Sequence, residues 1–305
     1  MNAVRGDRTN QDDLARLAKV GPWDAVVDTS GYVPREVLAV TRSLEPVADR
    51  YVFVSTVSVY EGWPLEPLTE DSAVLSCPSD AGPDFGYDGD PGPSVYGFTK
   101  AGSERAVIET FGTDRSVVLR PGVILGPREY VGRLPWWLRR IERGGRVLAP
   151  GSPDRSIQPV DVRDVAAFAL HTAVGQVGTF NVTGAKGETM GAFVEACRSV
   201  TGSNAQVEWV TDEQWLVDQG VGQWTELPLW RTYRGAWAVD SAKARAAGLV
   251  TRPLRSTVAD TWSWLHSDEA PVAHERSSEQ GISAEKEAAI LGVWDAVKAD
   301  RCGAE

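Results

Sequence analysis

Three hundred and five residues, 42% of them hydrophobic, can bury one large core or two modest ones. A formal net charge of −11 argues against a nucleic-acid surface, and no apolar run nears the ~18 residues of a membrane span. Only Cys77, Cys197 and Cys302 carry thiols, and no Cys/His pair stands at ligand spacing. This points away from a disulfide framework or structural metal site and fits a cytoplasmic protein.

Residues 3–8 read as a short strand end, followed by a capped helix from about Asn10 to Lys19. Trp23 to Asp28 is an apolar run that ends in Thr29-Ser30-Gly31, the pattern of a buried parallel strand delivering a tight turn. A helix is predicted from Pro34 to Ala48, with proline in its first turn. Tyr51 to Tyr60 is β-branched and aromatic throughout and predicts a strand. A loop rich in Pro, Gly and Asp, roughly 62–93, leads into a helix that starts near Tyr96. Ser116 to Arg120 is the next strand, closed by Pro121-Gly122-Val123. Strands alternating with helices predict an α/β chain with a doubly wound parallel sheet, whose ligands lie beyond the carboxyl ends of its strands.

Further on, helices are predicted at 134–142, after Gln158–Val165 to about Val174, from Thr189 to Val200, at 212–219, 240–247 and 253–266. Strands are predicted at 146–149 and 179–182. The expected division is a Rossmann-type domain over 1–127, to which 156–182 returns, and a smaller α/β substrate domain over most of 128–266. A linker at 267–282 and a C-terminal helix within 283–305 complete it.

The stretch that carries chemistry is Ser94-Val95-Tyr96-Gly97-Phe98-Thr99-Lys100. Positions i and i+4 share one helical face, so phenol and ammonium can point into one cleft. A nearby cation favours phenolate, which suits a group that exchanges a proton with an alcohol or carbonyl oxygen.

Three segments together resemble the extended short-chain dehydrogenase/reductase family, the NAD-dependent epimerase/dehydratase group, over roughly residues 3–266. They are Val54-Ser55-Thr56-Val57-Ser58-Val59-Tyr60, the Tyr96 to Lys100 helix start, and Arg120-Pro121-Gly122-Val123-Ile124-Leu125-Gly126-Pro127. The resemblance implies an NAD(P)-dependent oxidoreductase or epimerase acting on an alcohol or ketone carbon of a small metabolite or sugar derivative. It implies Tyr96 as general acid/base, Lys100 on the ribose hydroxyls and lowering the tyrosine pKa, and Thr56 on the reacting oxygen. Asp7 matches an acidic residue near the adenine, Thr29, Ser30 and Gly31 the turn over the cofactor, and Pro121 and Val123 the segment beside the nicotinamide. Arg128, Trp136, Trp137 and Gln158 are expected in the substrate pocket.

One departure stands out. The family opens with a strand and a Gly-x-x-Gly-x-x-Gly turn that holds the cofactor pyrophosphate, and no strand followed by such a turn occurs here. Met1 falls where the family's third strand stands, about 50 residues into the pattern. A start codon placed too late or a genuine short form accounts for it. The former is favoured, because a parallel edge that is apolar on both faces is hard to keep soluble. Binding of NAD or NADP is then expected to be weak. Two alternatives stay open: a cofactor-free relative doing lyase or isomerase chemistry with the same three residues, and a non-catalytic binding or regulatory protein. The expected partner is a small-molecule substrate, with no nucleic acid and no membrane; a homodimer is compatible with all of this.

Overall fold

A computed structural model describes residues 3–269 and 275–302; Met1 and the thiol of Cys302 lie outside the described residues. In chain order the first half holds α1 (Gln11–Ala18), β1 (Val26–Asp28), α2 (Pro34–Leu44), β2 (Tyr51–Val54), α3 (Val95–Phe111) and β3 (Ser116–Pro121). There follow β4 (Ile124–Leu125), α4 (Arg133–Glu142), β5 (Arg146–Pro150), β6 (Val160–Asp161), α5 (Val162–Ala173) and β7 (Gly178–Val182). The last elements are α6 (Met190–Thr201), β8 (Gln206–Val210), α7 (Glu213–Asp218), α8 (Ala242–Ala246), α9 (Leu254–Leu265) and α10 (Ala284–Cys302). They group into two compact units.

The first unit comprises Met1–Val123, Arg163–Thr183 and Tyr233–Thr251. Its sheet is parallel throughout, in the order β1-β2-β3-β7. Parallel neighbours need crossovers, which α2 and α3 supply between β1, β2 and β3. Val52 and Phe53 in β2 and Val117, Val118 and Leu119 in β3 are wholly buried, as strands covered on both faces require. Leu14, Val37, Leu44, Tyr51, Phe53, Val107 and Phe111 form one core layer beneath α1, α2 and α3. Elsewhere in this unit Phe168 of α5 meets Phe180 of β7 edge-on, 5.6 Å between centroids. The expected doubly wound α/β sheet is therefore present.

Four details differ from the sequence reading. Residues 3–8 form no strand, and β1 is an edge of the sheet among the described residues. The Pro34 helix ends at Leu44, where Glu45–Val47 tighten into a 3₁₀ turn around Pro46. The strand from Tyr51 stops at Val54 rather than Tyr60. Ser55 N makes a last sheet bond to Leu119 O (2.7 Å), and Thr56 Oγ1 then accepts from Ser58 N (3.2 Å), capping a 3₁₀ turn over Val57–Val59. Local capping by a hydroxyl beats β propensity there. Finally, residues 233–251, expected in the second domain, belong to the first. Leu68 and Val239 bridge, and Asn181 Nδ2 donates to Asp240 O at 3.0 Å. The 62–93 loop is pinned by the same region, with Leu68, Leu75, Cys77 and Ala81 buried beside Val239.

The second unit comprises Ile124–Val162, Gly184–Thr232 and Arg252–Glu305. It holds the parallel pairs β5-β8 and β4-β6, with α4, α6 and α9 packed on one another. Within the expected linker, residues 270–274 lie outside the described residues and Glu275–Glu279 is a 3₁₀ turn. Helix α10 docks through Ile290, Leu291 and Trp294 into a cluster with Leu148, Val210, Leu216 and Trp230. Arg140 Nε of α4 donates to Glu287 (2.7 Å to Oε2), and Leu148 N donates to Glu287 Oε1 at 3.0 Å, so a buried ion pair ties α10 to α4 and a hydrogen bond ties it to β5.

Candidate active site

The carboxyl ends of β1, β2 and β3 carry the segments that the sequence singles out in the first unit. Gly97 is what lets α3 begin there: a Cβ on it would meet Ser58 O and, at 3.0 Å, Leu75 Cδ1. Helix α3 therefore starts hard against the Thr56–Val59 turn. Ser94 caps the helix, its Oγ accepting from Gly97 N at 3.2 Å, and Asp88 accepts from Val95 N at 2.9 Å.

Tyr96 lies in this first turn with 44% of its surface exposed, its ring 6.4 Å from that of Tyr32. Lys100, one turn further, is only 3% exposed. Its ammonium donates to Gly31 O at 2.8 Å and to Val54 O at 2.6 Å, across the ends of β1 and β2. It also lies over the rings of Phe53 (4.2 Å) and Tyr32 (5.4 Å). Burial disfavours the charged form and pulls the Lys100 pKa down to about 8, against the charges of Asp28 and Glu104, which hold it up, and with Arg8, which lowers it.

Thr56 is buried, and its Oγ1 faces Ser58 Oγ at 3.3 Å. Beside it Ser55 Oγ is buried with no hydrogen-bond partner among the described residues. Gly31 is buried where no side chain would fit, since a Cβ would meet Phe53 at 2.6 Å and Val37 at 2.7 Å. Thr29 and Ser30 are exposed on the same turn, Pro121 is the buried last residue of β3, and Val123 is half-buried. Asp7 is exposed and turned on its own segment. Its carboxylate accepts from Thr9 N (2.8 Å) and Thr9 Oγ1 (2.7 Å), which hold its pKa below the usual carboxylate range.

The expected substrate residues lie in the second unit. Arg128 is exposed and forked onto Glu269, with Nε–Oε2 2.9 Å and Nη2–Oε1 3.0 Å. Gln158 is buried, and its carbonyl accepts from Gly184 N at 3.3 Å. Trp136 is half-buried and stacks edge-on against Trp137 at 4.9 Å. Trp137 is core rather than pocket wall: it is wholly buried, and its Nε1 donates to Pro228 O at 2.8 Å.

The sequence reading missed Asp28, which accepts from Arg8, Tyr51 and Ser30 at the end of β1. Its one signal was a carboxylate ending an otherwise apolar strand. Among the described residues no group of three His, Cys, Asp or Glu is placed to hold a metal ion.

This parallel sheet is found in solved structures. A UDP-glucose 4-epimerase from Thermotoga maritima with UDP-glucose superposes with a TM-score of 0.61 at 16% identity, over 85% of this chain and 82% of that one. The chain has the fold of these enzymes. The Bordetella bronchiseptica enzyme WbmG in complex with NAD and UDP gives 0.60 at 16% identity, over 86% and 78% of the two chains. RMD from Pseudomonas aeruginosa complexed with NADPH gives 0.59 at 18% identity, over 86% and 87%. No protein-family model and no curated protein matches the sequence.

Proposed function

We propose that the chain is an NAD(P)-dependent oxidoreductase or epimerase acting on an alcohol or ketone carbon, with a sugar nucleotide as the substrate class. The observation that carries this reading is Lys100: a buried ammonium on two strand-end carbonyls, one helical turn from a half-exposed tyrosine. Lysines are almost never fully buried unless paired, which sets Lys100 apart from an ordinary structural lysine. The neighbours with UDP-glucose, NAD and NADPH share the fold and support the class of substrate and cofactor.

The residues present fit the nicotinamide end of such a cofactor. An ammonium carries three N–H donors, and two go to Gly31 O and Val54 O, so one remains for a ribose hydroxyl. The orphaned Ser55 hydroxyl marks the same strand ends as polar. A bound nicotinamide supplies the hydride donor or acceptor. Tyr96 passes a proton to or from the substrate oxygen through its phenol, and Thr56 hydrogen-bonds that oxygen. Lys100 places positive charge beside the phenol, which favours its ionised form. Thr29, Ser30, Gly31, Pro121 and Val123 line the cofactor's path in this reading, and Asp7 meets the adenine.

Calorimetry with NAD(H) and NADP(H), followed by turnover with UDP-sugars, tests the reading. The one Gly-x-x-Gly-x-x-Gly spacing in the 305 residues, Gly86, Gly89 and Gly92, lies in a loop and follows no strand, so it is not a pyrophosphate turn and binding is expected in the millimolar range. Turnover that needs no nicotinamide would establish the cofactor-free chemistry instead. Absence of both binding and turnover rejects the enzyme.

A further inference from the structure

Asp28 ends β1 with only 7% of its surface exposed, yet it is one of the most heavily bonded carboxylates in the first unit. Arg8 Nη2 donates to Oδ2 at 3.0 Å and Nη1 to Oδ1 at 3.3 Å, while Tyr51 OH donates to Oδ2 at 2.8 Å. Ser30 N donates to Oδ1 at 3.0 Å, and this i to i+2 bond bends the chain directly after the strand. The next residue in the bend is Gly31, whose carbonyl receives the Lys100 ammonium. Gly31 is also pressed against the carboxylate itself, since a Cβ there would stand 3.0 Å from Asp28 Oδ2.

We propose that Asp28 is a positioning residue for Lys100, holding the Gly31 carbonyl under the ammonium and supplying the negative charge that faces it. The proposal rests on the reading of Lys100 as the lysine of a cofactor site. The charged and titratable groups around Lys100 are few. Asp28 comes from β1, Tyr51 from β2, Arg8 from the segment before α1, Tyr32 from the turn after β1, and Tyr96 and Glu104 from α3 itself. Glu104 is neutralised by a forked pair with Arg120 of β3. Asp28 is paired too, but Arg8 also spends Nη1 on Ser30 Oγ at 2.9 Å and its side chain reaches solvent. The carboxylate and its partner thus act on Lys100 in opposite directions: Asp28 stabilises the ammonium and Arg8 opposes it. Burial by itself would raise the Asp28 pKa, and the bonds from Arg8, Ser30 and Tyr51 outweigh it, so Asp28 stays ionised at neutral pH.

The test reads Lys100 directly. The full chain is labelled with ¹³Cε-lysine, the Lys100 signal is assigned from Lys100→Arg, and its shift is followed against pH. The wild-type midpoint is expected near 8. Asp28→Asn should lower it by about one pH unit, and Arg8→Gln should raise it. An unchanged or raised midpoint in Asp28→Asn overturns the proposal. If Asp28→Asn does not fold, Arg8→Gln decides alone, and an unchanged or lowered midpoint overturns it. Neither measurement needs cofactor or turnover, so the functional reading can fail separately. Should the Lys100 midpoint move while the pH profile of turnover does not, Asp28 still positions Lys100, and it is the catalytic use of Lys100 that falls.

Discussion

Glu104 of α3 accepts two hydrogen bonds from the Arg120 guanidinium of β3, at 2.9 Å from Nε and 2.6 Å from Nη2, with both side chains buried. Arg120 in turn lies 4.7 Å over the ring of Tyr60, whose hydroxyl donates to Asn181 Oδ1 of β7 at 2.7 Å. One polar chain therefore runs from the helix of Tyr96 and Lys100 through β3 to the sheet edge. Burial alone would lower the Arg120 pKa, and Glu104 more than offsets that, so the net direction is up.

Glu104→Gln should therefore be costly. It strands a buried guanidinium without its counter-charge, a loss of about 3–5 kcal/mol. Replacing both partners by apolar side chains, Glu104→Leu with Arg120→Met, should cost less, because no charge is left buried. Urea denaturation of the single and double variants compares them. A double variant that loses more than Glu104→Gln alone counts against an ion pair as the tie between α3 and β3.

Tyr96→Phe removes one oxygen from a half-exposed side chain and no packing volume. Stability should change by less than about 0.5 kcal/mol, the range of ordinary surface substitutions. Turnover should fall at least ~10²-fold, the usual worth of a positioned acid/base. Full turnover in a correctly folded variant removes Tyr96 from the proposed mechanism.

The alternation of strands and helices was legible because the inner strands β2 and β3 are buried on both faces and so read as continuous apolar runs, as at Tyr51-Val52-Phe53-Val54. Thr189 is a cap residue by type, and it does cap α6, its hydroxyl accepting from Ala192 N. The end of β2 was not legible. Val57 and Val59 have strand-forming side chains, and only the bond from Ser58 N to Thr56 Oγ1 shows that the chain has already turned. Trp137 was misread because composition cannot distinguish a pocket wall from a core residue whose indole N–H is satisfied by Pro228 O. The return of 233–251 to the first unit rests on pairing between Leu68 and Val239, a contact across about 170 residues that no local pattern encodes.

In the second unit Glu129 is a buried carboxylate at the start of α4. It accepts from Arg133 N and Leu134 N at 3.0 Å each, with the Arg133 guanidinium at 3.8 Å. Burial outweighs these partners and pushes its pKa up to about 7, above the ordinary 4.5. The folded chain therefore holds this proton between about pH 4.5 and 7 while the unfolded chain releases it, so stability falls as pH rises through that window. Glu129→Gln keeps an oxygen for the helix amides and has no proton to lose. Its unfolding free energy should be flatter than that of the wild type between pH 5 and 7. Parallel curves would show that Glu129 is ionised throughout.

Lys100 shows the same linkage with the opposite sign. Its unfolded pKa is 10.5 and its folded one about 8, because an ammonium at 3% exposure has lost its water. Below pH 8 both states are protonated, and the folded state carries the full penalty of a buried charge. Between 8 and 10.5 the unfolded chain binds more protons, so this group makes stability rise with pH, by on the order of 2–3 kcal/mol over the window. Lys100→Met keeps most of the apolar stem and deletes the titration. It also removes the bonds to Gly31 O and Val54 O, and each loss is worth roughly 1–3 kcal/mol, so absolute stability at one pH cannot separate the effects. The slope can, because the lost carbonyl bonds contribute equally at every pH at which Lys100 is charged. Other groups that titrate in this range, the buried Tyr51 among them, are common to both proteins and cancel in the difference. Urea unfolding of wild type and Lys100→Met at several values from pH 7.5 to 10.5 should give curves that diverge above 8, with the wild type the steeper. Parallel curves would mean that the folded chain holds the Lys100 proton as tightly as the unfolded one, and the ammonium would then be solvated rather than buried between two strand ends.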